Sequence, residues 1–233
     1  VRGEPSARLP ASAFVSFVQT HDQVGNRAFG ERIAQIADPK ALRAAVACWL
    51  LAPALPLIFM GEEFGASSPF LFFCEFGPEL AAAVTKGRRE EFGKFERFRN
   101  PAVQATIPDP NDPATFAASK LDWSEINLET HAEWVVLYRE LLALRHRHIV
   151  PRLTGMRSGG KFAVSDADIL RVDWTLGDGA QLHLVANFST AARDEIDVPA
   201  GDVIYASDPS SRGAQARRAI AAHSVVITLE AHA

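Results

Sequence analysis

The sequence predicts an α/β fold over residues 1–152 and an all-β fold over residues 153–233. Three observations predict it. Two apolar runs, residues 14–18 and 55–60, flank a clean helical stretch, and each run ends in a polar cluster. Beyond Leu153 the helical periodicity disappears. Short alternating runs separated by Gly-rich turns replace it.

The first run, Phe14-Val15-Ser16-Phe17-Val18, has the composition of a strand buried on both faces, as in a parallel sheet. A helix follows, with Asp38 as its N-cap, Pro39 at its first position and Leu42, Ala45, Val46, Trp49 and Leu50 at helical spacing. Pro53 ends it. The second run, Leu55-Pro56-Leu57-Ile58-Phe59-Met60, leads into Gly61-Glu62-Glu63. Strand, helix and strand at this spacing form a βαβ unit with parallel strands. Both polar clusters then lie at the carboxyl-terminal sheet edge, where such folds carry their chemistry.

Residues 78–86 read as a helix closed by Gly87, and residues 88–99 as a charged, Phe-studded surface helix. Ile107-Pro108-Asp109-Pro110-Asn111-Asp112-Pro113 must be a loop. Thr130 and Glu133 make a capping box for a helix whose apolar stripe is Trp134, Leu137, Tyr138, Leu141 and Leu142, ending near His148. Strands are expected at residues 169–174, 182–186 and 224–229, with turns at Ser158-Gly159-Gly160 and Gly177-Asp178-Gly179. This reads as an antiparallel β-sandwich.

Composition excludes several classes. Of 233 residues, 48% are hydrophobic, which suits a packed core and not a disordered chain. A net charge of −4, from 24 basic and 28 acidic residues, provides no footprint for nucleic acid or an anionic membrane. The longest apolar stretch, residues 44–60, contains Pro53 and Pro56 and is too short for a membrane span. Two cysteines, Cys48 and Cys74, make no disulfide framework, and a reducing cytoplasm is the expected compartment. Residues 1–10 lack the apolar core of a signal peptide, and the chain opens on Val1, so an upstream portion is expected to be missing.

His21 and Asp22 follow the first strand. A carboxylate beside a hydrogen-bonding ring can grip vicinal hydroxyls and stabilise developing positive charge. The same pair could equally be a capping Asp and a structural His. Glu62 and Glu63 could be a second catalytic pair, or could close the sheet end and pair with a basic group such as Arg27. Asn26 and Arg27 could hold the loop after Asp22. Phe70, Phe72, Phe73 and Trp123 could stack on sugar rings or belong to the core. His146 and His148 read as solvated surface, Cys48 as core, Cys74 as inert, and the sequon Asn187-Phe188-Ser189 as chance.

Phe17-Val18-Gln19-Thr20-His21-Asp22 resembles the fourth conserved region of the α-amylase superfamily, glycoside hydrolase family 13. The blocks Gln19-Thr20-His21-Asp22-Gln23-Val24-Gly25-Asn26-Arg27, Phe59-Met60-Gly61-Glu62-Glu63-Phe64-Gly65, Pro69-Phe70-Leu71-Phe72-Phe73, Lys86-Gly87-Arg88-Arg89-Glu90-Glu91-Phe92 and Ser119-Lys120-Leu121-Asp122-Trp123 occur in order. They resemble more narrowly the members that release trehalose from trehalose-capped malto-oligosaccharides. The resemblance implies strands seven and eight of a (β/α)8 TIM barrel, followed by a C-terminal antiparallel domain. It makes Asp22 the transition-state stabiliser and His21 a ligand of the same sugar. Beside that pair, Gln23, Arg27, Glu63, Phe70 and Trp123 are the further candidates for substrate binding. No metal and no cofactor are implied, and water is the acceptor. After Phe73 the group carries an Asp-His pair where this chain has Cys74-Glu75-Phe76, so no contact is carried over from that loop.

A retaining glycosidase needs two further carboxylates, a nucleophile and a general acid. The family places both on strands upstream of the seventh. The resemblance therefore implies a chain inactive alone, whose partners are a trehalose-capped glucan and the missing N-terminal part of the barrel, which would cover an otherwise exposed apolar face. The alternatives are a glucan branching enzyme, an α-amylase, or a non-catalytic glucan-binding module.

Overall fold

The structure is a computed structural model that describes residue 4 and residues 9–156, 159–165 and 168–232, the Arg217 side chain excepted. Ser158 of the expected turn lies outside the described residues. Helices are α1 (His21–Gly25), α2 (Ile33–Ile36), α3 (Pro39–Leu50), α4 (Pro78–Phe92), α5 (Pro101–Gln104), α6 (Pro113–Ala118), α7 (Glu129–His148) and α8 (Ala214–Arg217). Strands are β1 (Val15–Ser16), β2 (Leu55–Pro56), β3 (Lys161–Val164), β4 (Ile169–Thr175), β5 (Gln181–Asn187), β6 (Arg193–Asp194), β7 (Asp202–Ala206), β8 (Ala219–Ile220) and β9 (Ser224–Glu230). The chain forms two compact units. The first holds Val1–Val18, Ala37–Leu57 and Val136–Ala233, and the second holds Gln19–Ile36 and Ile58–Val135.

In the first unit β1 and β2 pair in parallel, Val15 with Leu55 and Ser16 with Pro56, on either side of α3 in sequence. Asp38 caps α3 by accepting from the Lys40 and Ala41 amides, each at 2.9 Å. Both strands are only two residues long, shorter than the apolar runs that predict them. Their side chains are also not buried on both faces: Phe14, Val15, Phe17, Leu55 and Leu57 are all exposed.

The larger sheet has the order β3-β4-β5-β9-β7, all antiparallel. Ile169, Val185 and Val226 on one face pack with Val198 from the segment before β7, Ala214 at the start of α8 and Ile220 in β8. Asn187 is fully buried in β5. Its Nδ2 donates to the Ala191 and Ala221 carbonyls at 2.8 and 2.9 Å, while Oδ1 accepts from Ser189. The sequon is thus closed in the folded state.

Charged side chains are used where the sequence suggests only surface. Arg145, in the last turn of α7, is buried. Its guanidinium donates to the Leu50 carbonyl at 2.9 Å and the Ala54 carbonyl at 2.8 Å, and also to Ala52. These are the orphan carbonyls where α3 ends and the chain turns into β2. No sequence periodicity marks this residue, because its partners are backbone atoms more than ninety residues away.

In the second unit α4 runs unbroken through Gly87, which does not close it, and only a short 3-10 turn, Glu96–Phe98, follows. A Gly inside a helix costs about 1 kcal/mol relative to Ala. Buried anchors at Arg88 and Phe92 offset that cost. Phe92 and Phe98 are core residues, packed with Ala28 and Ile107, and are not on a surface helix. The helix α7 begins at Glu129, which puts Thr130 inside its first turn instead of at its cap.

Replacing Arg145 by Met should strand several carbonyls without a donor. At roughly 1–3 kcal/mol for each buried unsatisfied group, the loss should be about 3 kcal/mol and the Tm should fall by about 6–12 °C. A thermal melt followed by circular dichroism measures it. An unchanged Tm would mean that water can replace the guanidinium.

Candidate active site

The predicted site lies in the second unit. Thr20 caps α1: its Oγ1 accepts from the Asp22 amide at 3.2 Å, and Gln23 Oε1 accepts from the Thr20 amide at 2.8 Å and from the Thr20 hydroxyl. This reciprocal capping box holds His21 and Asp22 in the first turn, with both side chains open to solvent. His21 Nε2 stands 3.4 Å from Asp22 Oδ1. The pair is therefore available as a unit to a ligand. Gln23, expected on substrate, has its amide oxygen engaged in the cap. No helix is expected here from the sequence, which reads as a polar cluster after the first run; the Thr20-x-x-Gln23 capping spacing is the signal that could have found α1.

The far end of α1 is held by Arg88. Its Nη2 donates to the Gly25 carbonyl at 2.6 Å and to the Arg27 carbonyl at 3.0 Å. The guanidinium also lies over the Phe72 and Phe92 rings, 4.8 and 5.1 Å from their centroids. A cation at a helix C-terminus satisfies orphan carbonyls and suits the local dipole. Burial lowers the Arg88 pKa, opposed by Glu91.

Arg32 joins this segment to the one after β2. It is almost completely buried. Nε donates to the Ser68 carbonyl at 2.7 Å and Nη1 to the Met60 carbonyl at 2.8 Å, and the group lies 5.2 Å from the Phe59 centroid. Desolvation lowers its pKa, and the Glu63, Glu62 and Glu125 charges oppose that shift. The Glu62 and Glu63 charges thus act on Arg32, whose hydrogen bonds go to backbone carbonyls. Arg27 instead pairs with Glu31 at 3.1 Å, one turn away. Gly30 completes the junction. It has φ +61°, and a Cβ there would lie 2.5 Å from the Phe70 carbonyl oxygen, so only glycine fits.

The remaining expected residues fall into two groups. Phe70 lies against α1, since a Cβ on Gly25 would lie 3.6 Å from its ring, and its ring meets Phe59 and Phe73 edge-on. Trp123 is largely exposed and packs instead near Phe64, at 5.5 Å between centroids, next to half-buried Glu63. His131 Nδ1 and the Phe64 carbonyl, 2.8 Å apart, steady that second group. Sequence reasoning missed Arg32 and Arg88. Arg88 lies within one of the blocks that resemble the family and Arg32 lies five residues beyond another, but nothing in their spacing distinguishes a buried arginine from a solvated one. Burial pushes the Cys48 thiol up to about 12, and burial with the Asp109 charge raises Cys74. Both changes oppose thiolate chemistry. Among the described residues there is no group of three or more His, Cys, Asp or Glu able to hold a metal, and no helix is long and apolar enough to cross a membrane.

Comparison with known proteins gives this arrangement a class. A provisionally named α-amylase of Salmonella typhimurium superposes with a TM-score of 0.86 at 38% identity, over 99% of this chain and 37% of that one. The chain is related to the α-amylase family of glycoside hydrolases. More narrowly, it is homologous to malto-oligosyltrehalose trehalohydrolases. That of Brevibacterium helvolum is 41% identical over 88% of this chain and 33% of its own, and that of Deinococcus radiodurans is 40% identical over 78% and 30%. The chain spans about a third of the length of the curated relatives it matches. A family model described as a domain of unknown function (DUF3459) matches residues 157–227.

Two predictions follow from the packing around the site. Arg88→Lys cannot serve both carbonyls and stack as well. Loss of one charge-assisted hydrogen bond, about 1.5–3 kcal/mol, should speed hydrogen exchange in residues 19–36 by about tenfold or more. Unchanged exchange would remove Arg88 from this role. The second concerns Asp109, whose carboxyl is held below the usual range by the Thr85 hydroxyl at 2.7 Å and the Asn111 amide at 3.0 Å. Its folded pKa lies below its unfolded one, so its contribution is present above about pH 4 and is lost as pH falls through the folded value. Asp109→Asn should lower Tm at pH 7 and flatten the acid decline. Parallel Tm profiles for the two proteins between pH 2 and 7 would contradict this.

Proposed function

We propose that this chain is the part of a malto-oligosyltrehalose trehalohydrolase that supplies the third catalytic carboxylate and part of the substrate site. The reaction is hydrolysis of the α-1,4-glucosidic bond next to the terminal trehalose of maltooligosyl trehalose, with release of trehalose. The observation that carries the proposal is the solvent-open His21–Asp22 pair, held by a capping box at one end of α1 and by Arg88 at the other, in a chain whose relatives bear that name.

In this reading Asp22 stabilises the positive charge that develops on the sugar as the bond breaks, and His21 binds hydroxyls of the same ring. Gln23, Arg27, Glu63, Phe70 and Trp123 contribute to substrate binding. The nucleophile and general acid of the double displacement belong to the two thirds of such a protein that this chain does not span. β1 and β2 would be strands seven and eight of a (β/α)8 barrel, a reading supported by their parallel pairing around α3. Residues 1–152 would belong to that barrel and residues 153–233 to a C-terminal domain, a division supported by the match at residues 157–227. The exposed apolar side chains beside β1 and β2 would meet the rest of the barrel. The two free cysteines suit the cytoplasm.

Asp22→Asn, made in the protein expressed from its complete reading frame, tests the proposal with maltooligosyl trehalose as substrate. Because the charge acts chiefly in the transition state, kcat should fall by about 10²–10³ while KM changes little. Undiminished trehalose release would remove Asp22 from the mechanism. Transfer to α-1,6 branches without trehalose release would favour a branching enzyme.

A further inference from the structure

The rings that begin on α1 do not end there. Phe70 lies against α1, Phe73 meets Phe70 at 5.7 Å between centroids, and Phe116 meets Phe73 at 5.1 Å, each contact tilted by 66–70°. Core aromatics of this kind are normally covered, but Phe73 and Phe116 are exposed, at 36% and 48%. They open onto a cleft of about 540 Å³ that Cys74, Glu75, Asn111 and Asp112 also line. That is the size of an ordinary small-ligand cleft.

The walls are fixed before any ligand arrives. The Cys74 amide donates to the Pro110 carbonyl at 2.8 Å. Asn111 Nδ2 donates to the Ala81 carbonyl and the Thr85 hydroxyl, each at 3.1 Å. Asp112 caps α6 through the Ala114 amide at 2.8 Å. Lys120 Nζ lies 4.9 Å from the Phe116 centroid and steadies that ring. Glu75 is exposed, with no hydrogen bond or ion pair among the described residues.

We propose that this cleft is a binding subsite for a glucosyl unit of an α-glucan, beyond Phe70 from the His21–Asp22 pair. A pyranose ring presents an apolar C–H face, which packs on an aromatic ring, and a rim of hydroxyls, which donate to carboxylates. The cleft offers both features. None of the residues lining it is basic, so it does not suit a phosphorylated or otherwise anionic ligand. A purely apolar ligand would cover Glu75 and Asp112 without supplying donors. The proposal rests on the glucan reading above and extends it along the ring ladder.

Cys74 provides a readout independent of catalysis. It lies half-buried in the cleft wall, where burial and the Asp109 charge raise its thiol and make alkylation slow, whereas burial pushes Cys48 to about 12 and keeps it silent. Protein expressed from the complete reading frame is alkylated with iodoacetamide, with and without millimolar maltopentaose, and the Cys74 peptide is followed by mass spectrometry. Maltopentaose should slow its modification at least threefold, and Phe116→Leu, a surface change that keeps apolar volume, should abolish the protection without altering the thermal melt. Equal rates with and without maltopentaose overturn the subsite, as does full protection in Phe116→Leu. Trehalose release is assayed on the same preparation. Protection without release keeps the subsite and sinks the reaction, while release without protection does the reverse.

Discussion

A buried guanidinium organises the candidate site. Arg32 has lost most of its hydration, and it is tolerated because the Met60 and Ser68 carbonyls and the Phe59 ring surround it, with Glu62, Glu63 and Glu125 supplying the opposing charge. Removing one side of such an arrangement leaves a buried charge uncompensated, which is far costlier than the arrangement is stabilising. The segment after β2 is therefore held against the segment carrying α1. The contact of Gly30 with the Phe70 backbone permits no alternative spacing. The position of Phe70 on α1, and of every ring that follows it, is inherited from this junction.

Arg88 and Arg145 solve a related problem. Each places a cation at a helix end or just beyond it, where carbonyls have no intrahelical partner: Arg88 beyond α1 and Arg145 beyond α3. A five-residue helix such as α1 has little stability of its own. It persists because both its ends are fixed from outside the helical hydrogen-bond ladder, by Thr20 with Gln23 and by Arg88. The exposed pair it carries can then remain solvent-open without its backbone being loose.

What the sequence reveals follows from how local each cause is. The start of α3 is legible because Asp38 and Pro39 act within their own turn. The strands β4, β5 and β9 are legible because their apolar composition is local too, although β5 and β9 are buried almost throughout and not on alternate residues. β3 is an edge strand whose four residues are all exposed, so it has no burial pattern to read, and β7 carries an irregularity between Val203 and Tyr205 that breaks its alternation. The run through Gly87 misleads because tertiary anchors overrule a local breaker. In the site, His21 and Asp22 stand out by their resemblance to a family. Arg32, Arg88 and Arg145 do not, because their partners are backbone carbonyls as much as ninety-five residues distant.

The closed sequon at Asn187 bears on how this protein can be made. Oligosaccharide transfer in a eukaryotic secretory pathway acts on the chain as it emerges, before β5 has neighbours. A glycan attached then would sit on a side chain that the finished sheet buries completely and uses twice as a donor. Glycosylated chains could not close the sheet around that residue. Such a host would therefore sort the product into modified chains that cannot mature and unmodified chains that can, whereas a host without that machinery meets no such branch point.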